Sequence, residues 1–342
     1  MKKILTTLAL ILTLVGCGKK EDNKNVLYIY GWANTIPQSI YEEFEKETGI
    51  KVIEDIYSSN EEMFTKLKAG GDGYDIVMPS ADYAEIMMKE DMIDKLDKEK
   101  LPSYSNLDPL VLEKLHHFDP NNDYEVPYLI GATIIAVNKK YVPNFPRDYS
   151  IYNMSELKGR MTLLDDMREV VTSALGMLDY PQTVESEEAI SQAADLIKSW
   201  KKNIAKFDAE SFGKGFASGD FWVVQGYPDN IFKELDESER ASVEMIIPEK
   251  GGTAYVDSFV LLKNAPHKEA AYKFLEFTLK PEIAAQFADA LETPSVNTKA
   301  RELMTVEPLF EVSDLKNVQV LKDIHSTIDL QNKYWQEVLI AD

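Results

Sequence analysis

Tyr255 and Asp257 flank Val256 in the run Tyr255-Val256-Asp257-Ser258-Phe259-Val260-Leu261-Leu262, whose β-branched and aromatic content predicts a strand. Alternation along a strand puts the ring and the carboxylate on one face. A carboxylate forms charge-assisted hydrogen bonds to an ammonium group. An aromatic face offers contact to methylene groups and attracts a cation by about 0.5–2 kcal/mol. The pair therefore suits an organic cation, although a buried tyrosine bonded to an aspartate leaves the same pattern. Asp166 and Glu169 stand at a predicted strand-to-helix junction. There they either face a cation or complement the helix dipole. Trp32 sits just past another strand end, as a core ring or a cleft wall, and Ser80 follows a third strand, as a helix cap or a polar contact.

Other chemistries are poorly supplied. The sequence holds no Gly-x-Ser-x-Gly elbow and no phosphate loop of Gly-x₄-Gly-Lys-Ser/Thr form. The histidines (His116, His117, His267 and His325) and the single Cys17 do not supply a zinc site. No spacing singles out two carboxylates as a glycosidase pair. The expectation is a binding protein rather than an enzyme, with no metal and no cofactor.

The elements that must position these residues alternate between strand and helix patterns, as α/β layers do. Val26 to Tyr30 predicts a buried strand, and Pro37 opens a helix with Ile40, Tyr41 and Phe44 on one face and Gly49 as its stop. Ile50 to Tyr57 predicts a second strand. Asn60 is a candidate cap for the next helix, with Met63, Phe64 and Leu67 on one stripe. Tyr74 to Met78 predicts a third strand, with a helix after Pro79-Ser80. In such units ligands bind at the carboxyl ends of the strands. Two long extended runs, Val126 to Val137 and Tyr255 to Leu262, read as crossings between lobes, with a second α/β set between them. The chain leaves one lobe, builds another and returns, which predicts a two-strand hinge and a cleft.

The first residues point to export. Met1-Lys2-Lys3 precedes an apolar run from Ile4 to Val15, too short to span a bilayer and suited to a secretory leader. It ends in Leu14-Val15-Gly16-Cys17, which resembles a bacterial lipobox, and a polar stretch follows it. This predicts a lipoprotein signal over 1–16 and a tether over 17–25, lipidated at Cys17. The remaining chain divides into 26–132 plus 257–310 as one lobe and 133–256 plus 311–342 as the other. With Cys17 the only cysteine, stability must come from the cores. The 342 residues carry 37 Lys and Arg against 58 Asp and Glu, a net charge of −21. Such a surface argues against nucleic acid and anionic headgroups, which need a positive field.

A collinear set of segments resembles the bacterial spermidine/putrescine-binding proteins, type II periplasmic solute-binding proteins of polyamine ABC transporters. It includes Tyr30-Gly31-Trp32-Ala33-Asn34, Glu45-Lys46-Glu47-Thr48-Gly49, Tyr74-Asp75-Ile76-Val77-Met78-Pro79-Ser80, Asp165-Asp166-Met167-Arg168-Glu169 and Pro248-Glu249-Lys250-Gly251-Gly252. The resemblance implies two α/β lobes with mixed sheets flanked by helices. It implies capture of a polyamine and delivery to ABC permease subunits by an exported monomer, in the periplasm or on the outer face of the cytoplasmic membrane. By resemblance, Trp32, Ser80, Asp166 and Glu169 line the slot, and strand alternation adds Tyr255 and Asp257. Departures stand at Asn34 and Thr35, where an acid and an aromatic are usual, and at Asp82, where an aromatic is usual and Tyr83 follows. Val224-Gln225 replaces a strand-end Trp, and Thr293-Pro294 replaces Tyr-Pro; Trp222 or Tyr227 is a candidate replacement wall. The site set is thus Trp32, Asn34, Thr35, Ser80, Asp82, Tyr83, Asp166, Glu169, Gln225, Tyr255 and Asp257. The alternatives are the same fold binding another small cation or zwitterion, and a surface lipoprotein acting as an adhesin or sensor.

Overall fold

The computed structural model describes residues 25–32, 35–322, 324 and 326–341, so Cys17, Asn34 and the predicted leader lie outside the described residues. The chain builds β1 (Val26–Trp32), β2 (Lys51–Tyr57), β3 (Ile76–Val77) and β4 (Glu125–Ala132) first. Then come β5 (Ile134–Asn138), β6 (Met161–Leu163), β7 (Lys206–Phe207), β8 (Val223–Gly226) and β9 (Val243–Ile246). It closes with β10 (Thr253–Leu261) and β11 (Gln319–Val320). These form two sheets. One has the order β11–β10–β3–β1–β2, with β4 also paired to β10; the other has the order β7–β6–β8–β5–β9. Both are mixed: β1 is parallel to β2 and β3, while β10 is antiparallel to β3 and β4. In the second sheet β6 is parallel to β7 and β8, and β5 is antiparallel to β8 and β9.

Local chemistry accounts for these elements. The helix Gln38–Thr48 buries Ile40, Tyr41 and Phe44 against the first sheet. It ends at Gly49, whose φ of 71° is the left-handed conformation a glycine adopts without a Cβ clash. The helix Asn60–Lys68 is capped by Ser59, whose hydroxyl accepts from the Glu62 amide at 3.1 Å. The cap is therefore one residue before the expected Asn60, which frees the Asn60 side chain to turn toward Ser80.

Each sheet carries its own core. Phe44, Phe259 and Phe274 belong to the first, and Tyr149, Trp200 and Phe216 to the second. The first crossing falls at Thr133, between β4 and β5, so the run from Val126 to Val137 is two strands in two sheets. The second crossing precedes β10 rather than running through it: Ala254 and Val256 already belong to the first core. The two crossings lie side by side, with the Thr133 amide donating to the Thr253 carbonyl at 3.0 Å. Val312, Leu315, Val318 and Val320 also pack in the first core, not the second as the expected boundaries have it. A third crossing follows β11, because Trp335 and Val338 of the last helix, Ile328–Ile340, pack in the second core. No helix among the described residues is long and apolar enough to cross a membrane.

Candidate functional site: a carboxylate-lined cleft between the lobes

A cavity of about 570 Å³ opens between the two cores. Trp32, Thr35, Ser80, Asp82, Tyr83, Tyr255 and Asp257 line it from the first lobe, and Asp166 and Glu169 from the second. Among the described residues its lining holds six carboxylates, from Glu61, Asp82, Asp166, Glu169, Asp229 and Asp257, against one cationic side chain, Arg168. Walls of low polarity focus such a field and raise the local concentration of cations.

On the first-lobe side, β10 supplies the central pair. Tyr255 and Asp257 share a face as alternation requires, and the pairing of β10 with β4 shifts register between Asp257 and Ser258. Such a bulge re-aims the side chain beside it. Asp257 is buried, and its Oδ1 accepts from the Ser80 hydroxyl at 2.7 Å. The Ser80 hydroxyl accepts in turn from the Asn60 amide group at 3.2 Å. Burial pushes the Asp257 carboxyl up to about 7, with Ser80 opposing the shift and the Asp82 charge reinforcing it. A cation entering the cleft would reverse that burial cost. Tyr255 lies over Gly131, where a Cβ would sit 2.2 Å from the phenol ring, so the close approach requires glycine there. Trp32 ends β1 and packs on Tyr57 at 4.6 Å between ring centroids. Its buried indole N–H has no hydrogen-bond partner among the described residues. The Tyr83 hydroxyl donates to Glu61 at 2.9 Å.

On the second-lobe side, the site is the start of the helix Met167–Met177. Asp166 caps it, its Oδ1 accepting from the Arg168 and Glu169 amides at 2.9 and 3.1 Å. Glu169 is buried and accepts from the Thr253 hydroxyl of β10, a bond between the lobes. Burial and the neighbouring Asp166 charge push Glu169 up to about 7. Tyr227 meets Tyr255 edge to face at 5.8 Å, so one ring from each lobe closes that wall. The second-lobe Asp229 also lines the cavity; it is exposed at its surface, yet the protein crowded around it raises its carboxyl above the usual range. Among the described residues no group of His, Cys, Asp and Glu could hold a metal ion.

The family described as bacterial extracellular solute-binding protein matches residues 39–312. This chain belongs to that family. It is 36% identical to the spermidine/putrescine-binding periplasmic protein of Escherichia coli strain K12 over 325 residues, which cover 93% of this chain and 92% of that protein. The crystal structure of the TpPotD lipoprotein of Treponema pallidum matches at a TM-score of 0.87 and 37% identity, over 92% of this chain and 99% of that one. The spermidine/putrescine ABC transporter substrate-binding protein PotD of Streptococcus pneumoniae matches at a TM-score of 0.83 and 26% identity, over 92% of this chain and 99% of that one. The fold is that of the type II periplasmic binding proteins, and the family is one of binding proteins, not enzymes.

Gln225 stands apart from the cleft. It is fully buried on β8, a strand flanked by β6 and β5, where its Oε1 accepts from the Leu164 amide and its Nε2 donates to the Tyr149 hydroxyl, each at 3.1 Å. A buried amide on an interior strand must find partners inside the lobe, and these two take it out of the ligand's reach. Trp222 stacks on Tyr141 at 5.0 Å and is not in the cavity lining, so of the two candidate replacement walls Tyr227 is the one that reaches the cleft. The sequence points to no ligand contact for Arg168, Asn60 or Asp229, and offers Asn60 only as a helix cap. For Arg168 a signal existed: an acid at Asp82, where an aromatic is usual, is less costly to bury beside a cation.

Proposed function

We propose that this chain is the exported substrate-binding lipoprotein of an ABC importer, and that it captures a polyamine, spermidine or putrescine, between its lobes. The observation that carries the reading is the cleft itself. Among the described residues its carboxylates outnumber its one cation, three of them (Asp82, Glu169 and Asp257) are buried, and the rings of Trp32, Tyr83, Tyr227 and Tyr255 stand among them. A polyamine alternates ammonium groups with methylene stretches, so it matches carboxylates with aromatic faces between them. The E. coli spermidine/putrescine-binding protein and the S. pneumoniae ABC transporter substrate-binding protein, as relatives, support the same ligand class and an ABC permease as partner. Trp32, Thr35, Ser80, Tyr83, Tyr255 and Asp257 act from the first lobe, and Asp166 and Glu169 from the second. A ligand that touches both faces contacts the closed state more fully than the open one, and so shifts the population toward closure. Lipidation at Cys17 rests on the Leu14-Val15-Gly16-Cys17 sequence and on the likeness to a treponemal lipoprotein. The protein works as a monomer on the outer face of the cytoplasmic membrane or in the periplasm.

Thermal unfolding of the purified chain with spermidine, putrescine, cadaverine, agmatine, arginine and thiamine tests this. A ligand at 100 times its dissociation constant stabilises by about 2.7 kcal/mol, a rise of a few degrees at this size. A rise with spermidine or putrescine at micromolar concentration supports the reading. No rise with any polyamine, or a rise only with arginine or thiamine, overturns it.

A further inference from the structure

Among the described residues one positive charge stands inside the cleft, and its position is fixed from both lobes. Arg168 belongs to the second-lobe helix Met167–Met177, while Asp82 belongs to the first-lobe helix Ala81–Lys89. The Arg168 Nη1 donates to Asp82 Oδ2 at 2.6 Å, and Nη2 donates to the Lys322 carbonyl at 2.8 Å. Both side chains are largely buried, at 24% and 9% exposure. The guanidinium keeps its proton at any working pH, so this charge is permanent. Two donors in a rigid plane also give it a defined orientation, which a lysine could not match.

We infer that Arg168 is a built-in cation that occupies one ammonium position of the cleft, withdraws Asp82 from the ligand and biases the site toward a diamine over a triamine. This rests on the polyamine reading and narrows it. An incoming ammonium gains little by competing for Asp82, because it would have to displace a guanidinium that makes two hydrogen bonds. It would also approach that guanidinium, and like charges in a partly desolvated cleft repel strongly. What remains are two anionic faces. Asp257 on the first lobe holds a single neutral donor, the Ser80 hydroxyl. The second-lobe carboxylates led by Glu169 face it across the cavity. Two faces accept two ammonium groups, and at the Asp82 end the one other lining carboxylate, Glu61, is exposed and already accepts from the Tyr83 hydroxyl, so the third charge of a triamine finds no buried, unpaired anion there.

The test uses calorimetric titration of putrescine and spermidine into the full chain, purified in mild detergent, as wild type, R168M, D82N and the double variant. R168M leaves Asp82 as a free anion, so spermidine should gain about tenfold relative to putrescine. D82N leaves the guanidinium unpaired, so the ratio should move the other way. The double variant removes both charges and should return the ratio toward that of the wild type. R168Q must repeat R168M, and R168K, which keeps the charge but not the two-donor plane, must fall between R168M and the wild type; unfolding transitions identify variants that are folded. Opposite shifts with restoration support the inference. A ratio that stays within about twofold in both single variants, or moves the same way in both, overturns it while leaving the polyamine reading intact. A wild type that binds neither amine overturns both.

Discussion

The two lobes present carboxylates to the same cleft under different local conditions. On the first face Asp257 stands on a strand, beside a bulge, with the Ser80 hydroxyl as its one hydrogen-bond donor. On the second face Asp166 is committed to two backbone amides at a helix start, and Glu169 accepts from Thr253 with the Arg168 charge close by. Residue type is shared, and availability is not. The second face is partly neutralised by its own fold, through the helix terminus that Asp166 caps. On the first face the guanidinium already takes Asp82, and Asp257 is left for the ligand to neutralise. The comparison teaches that a count of carboxylates says little until their existing partners are known.

The sharpest way to break that comparison is to remove one carboxylate from each face. Asp257→Ala should weaken polyamine binding by a hundredfold or more, on the order expected for deleting one side of a buried charge pair. Glu169→Gln should cost less, roughly tenfold, because Arg168 and Thr253 already meet part of its charge. Titration calorimetry reads both, and far-UV dichroism confirms that the lobes are folded. Equal losses would mean that the two faces carry the ligand alike, and unchanged affinity in Asp257→Ala would remove the site as drawn.

Lowering the pH acts on both faces at once. Asp257 and Glu169 must be ionised to bind an ammonium, and burial holds each near 7. Affinity should therefore be full at pH 8 and fall on the order of tenfold per carboxylate by pH 6. Stability of the ligand-free chain should run in the opposite direction. The folded carboxyls sit above their unfolded values of about 3.9 and 4.3. The stabilisation they give is thus fully present below those unfolded values, and is lost as pH rises through about 7. Glu125, buried in β4, adds to the same trend, since burial pushes it up to about 8. Between pH 8 and 5 the unliganded chain should unfold at higher temperature as its affinity drops. Affinity that stays flat over pH 8 to 6 would show that neither carboxylate meets the ligand.

How far the sequence reaches follows the same division between local and long-range causes. Helical faces could be read from spacing: Ala271, Phe274, Leu275 and Thr278 are buried along the helix Lys268–Thr278 as their periodicity requires. Tyr255 and Asp257 share the cleft face because strand alternation is a local rule. The break at Thr133 could not be read, because both sides of it are apolar strands and hydrophobicity does not say which sheet a strand joins. For the same reason the sequence does not show that β10, buried along nearly all its length, belongs to the first core from its start. Asp82 could be seen as a departure, but its partner lies 86 residues away in the other lobe. No local pattern encodes a contact made only when two lobes meet.

Gln225 gives the smallest expected effect on binding and separates the two kinds of error. By resemblance it occupies a ligand wall; in the structure it bonds Leu164 and Tyr149 inside the second lobe. Gln225→Leu keeps the volume roughly constant and leaves a buried amide and hydroxyl without these partners. That should lower stability by about 1–3 kcal/mol. Polyamine affinity at neutral pH should stay within about twofold of the wild type, since deletions matter little to binding when the removed group touches neither ligand nor hinge. Denaturant unfolding and titration on the same preparation read the two quantities. A variant that keeps its stability and loses affinity would return Gln225 to the cleft, and would mean that the second lobe reaches the ligand through β8 as well as through its helix start.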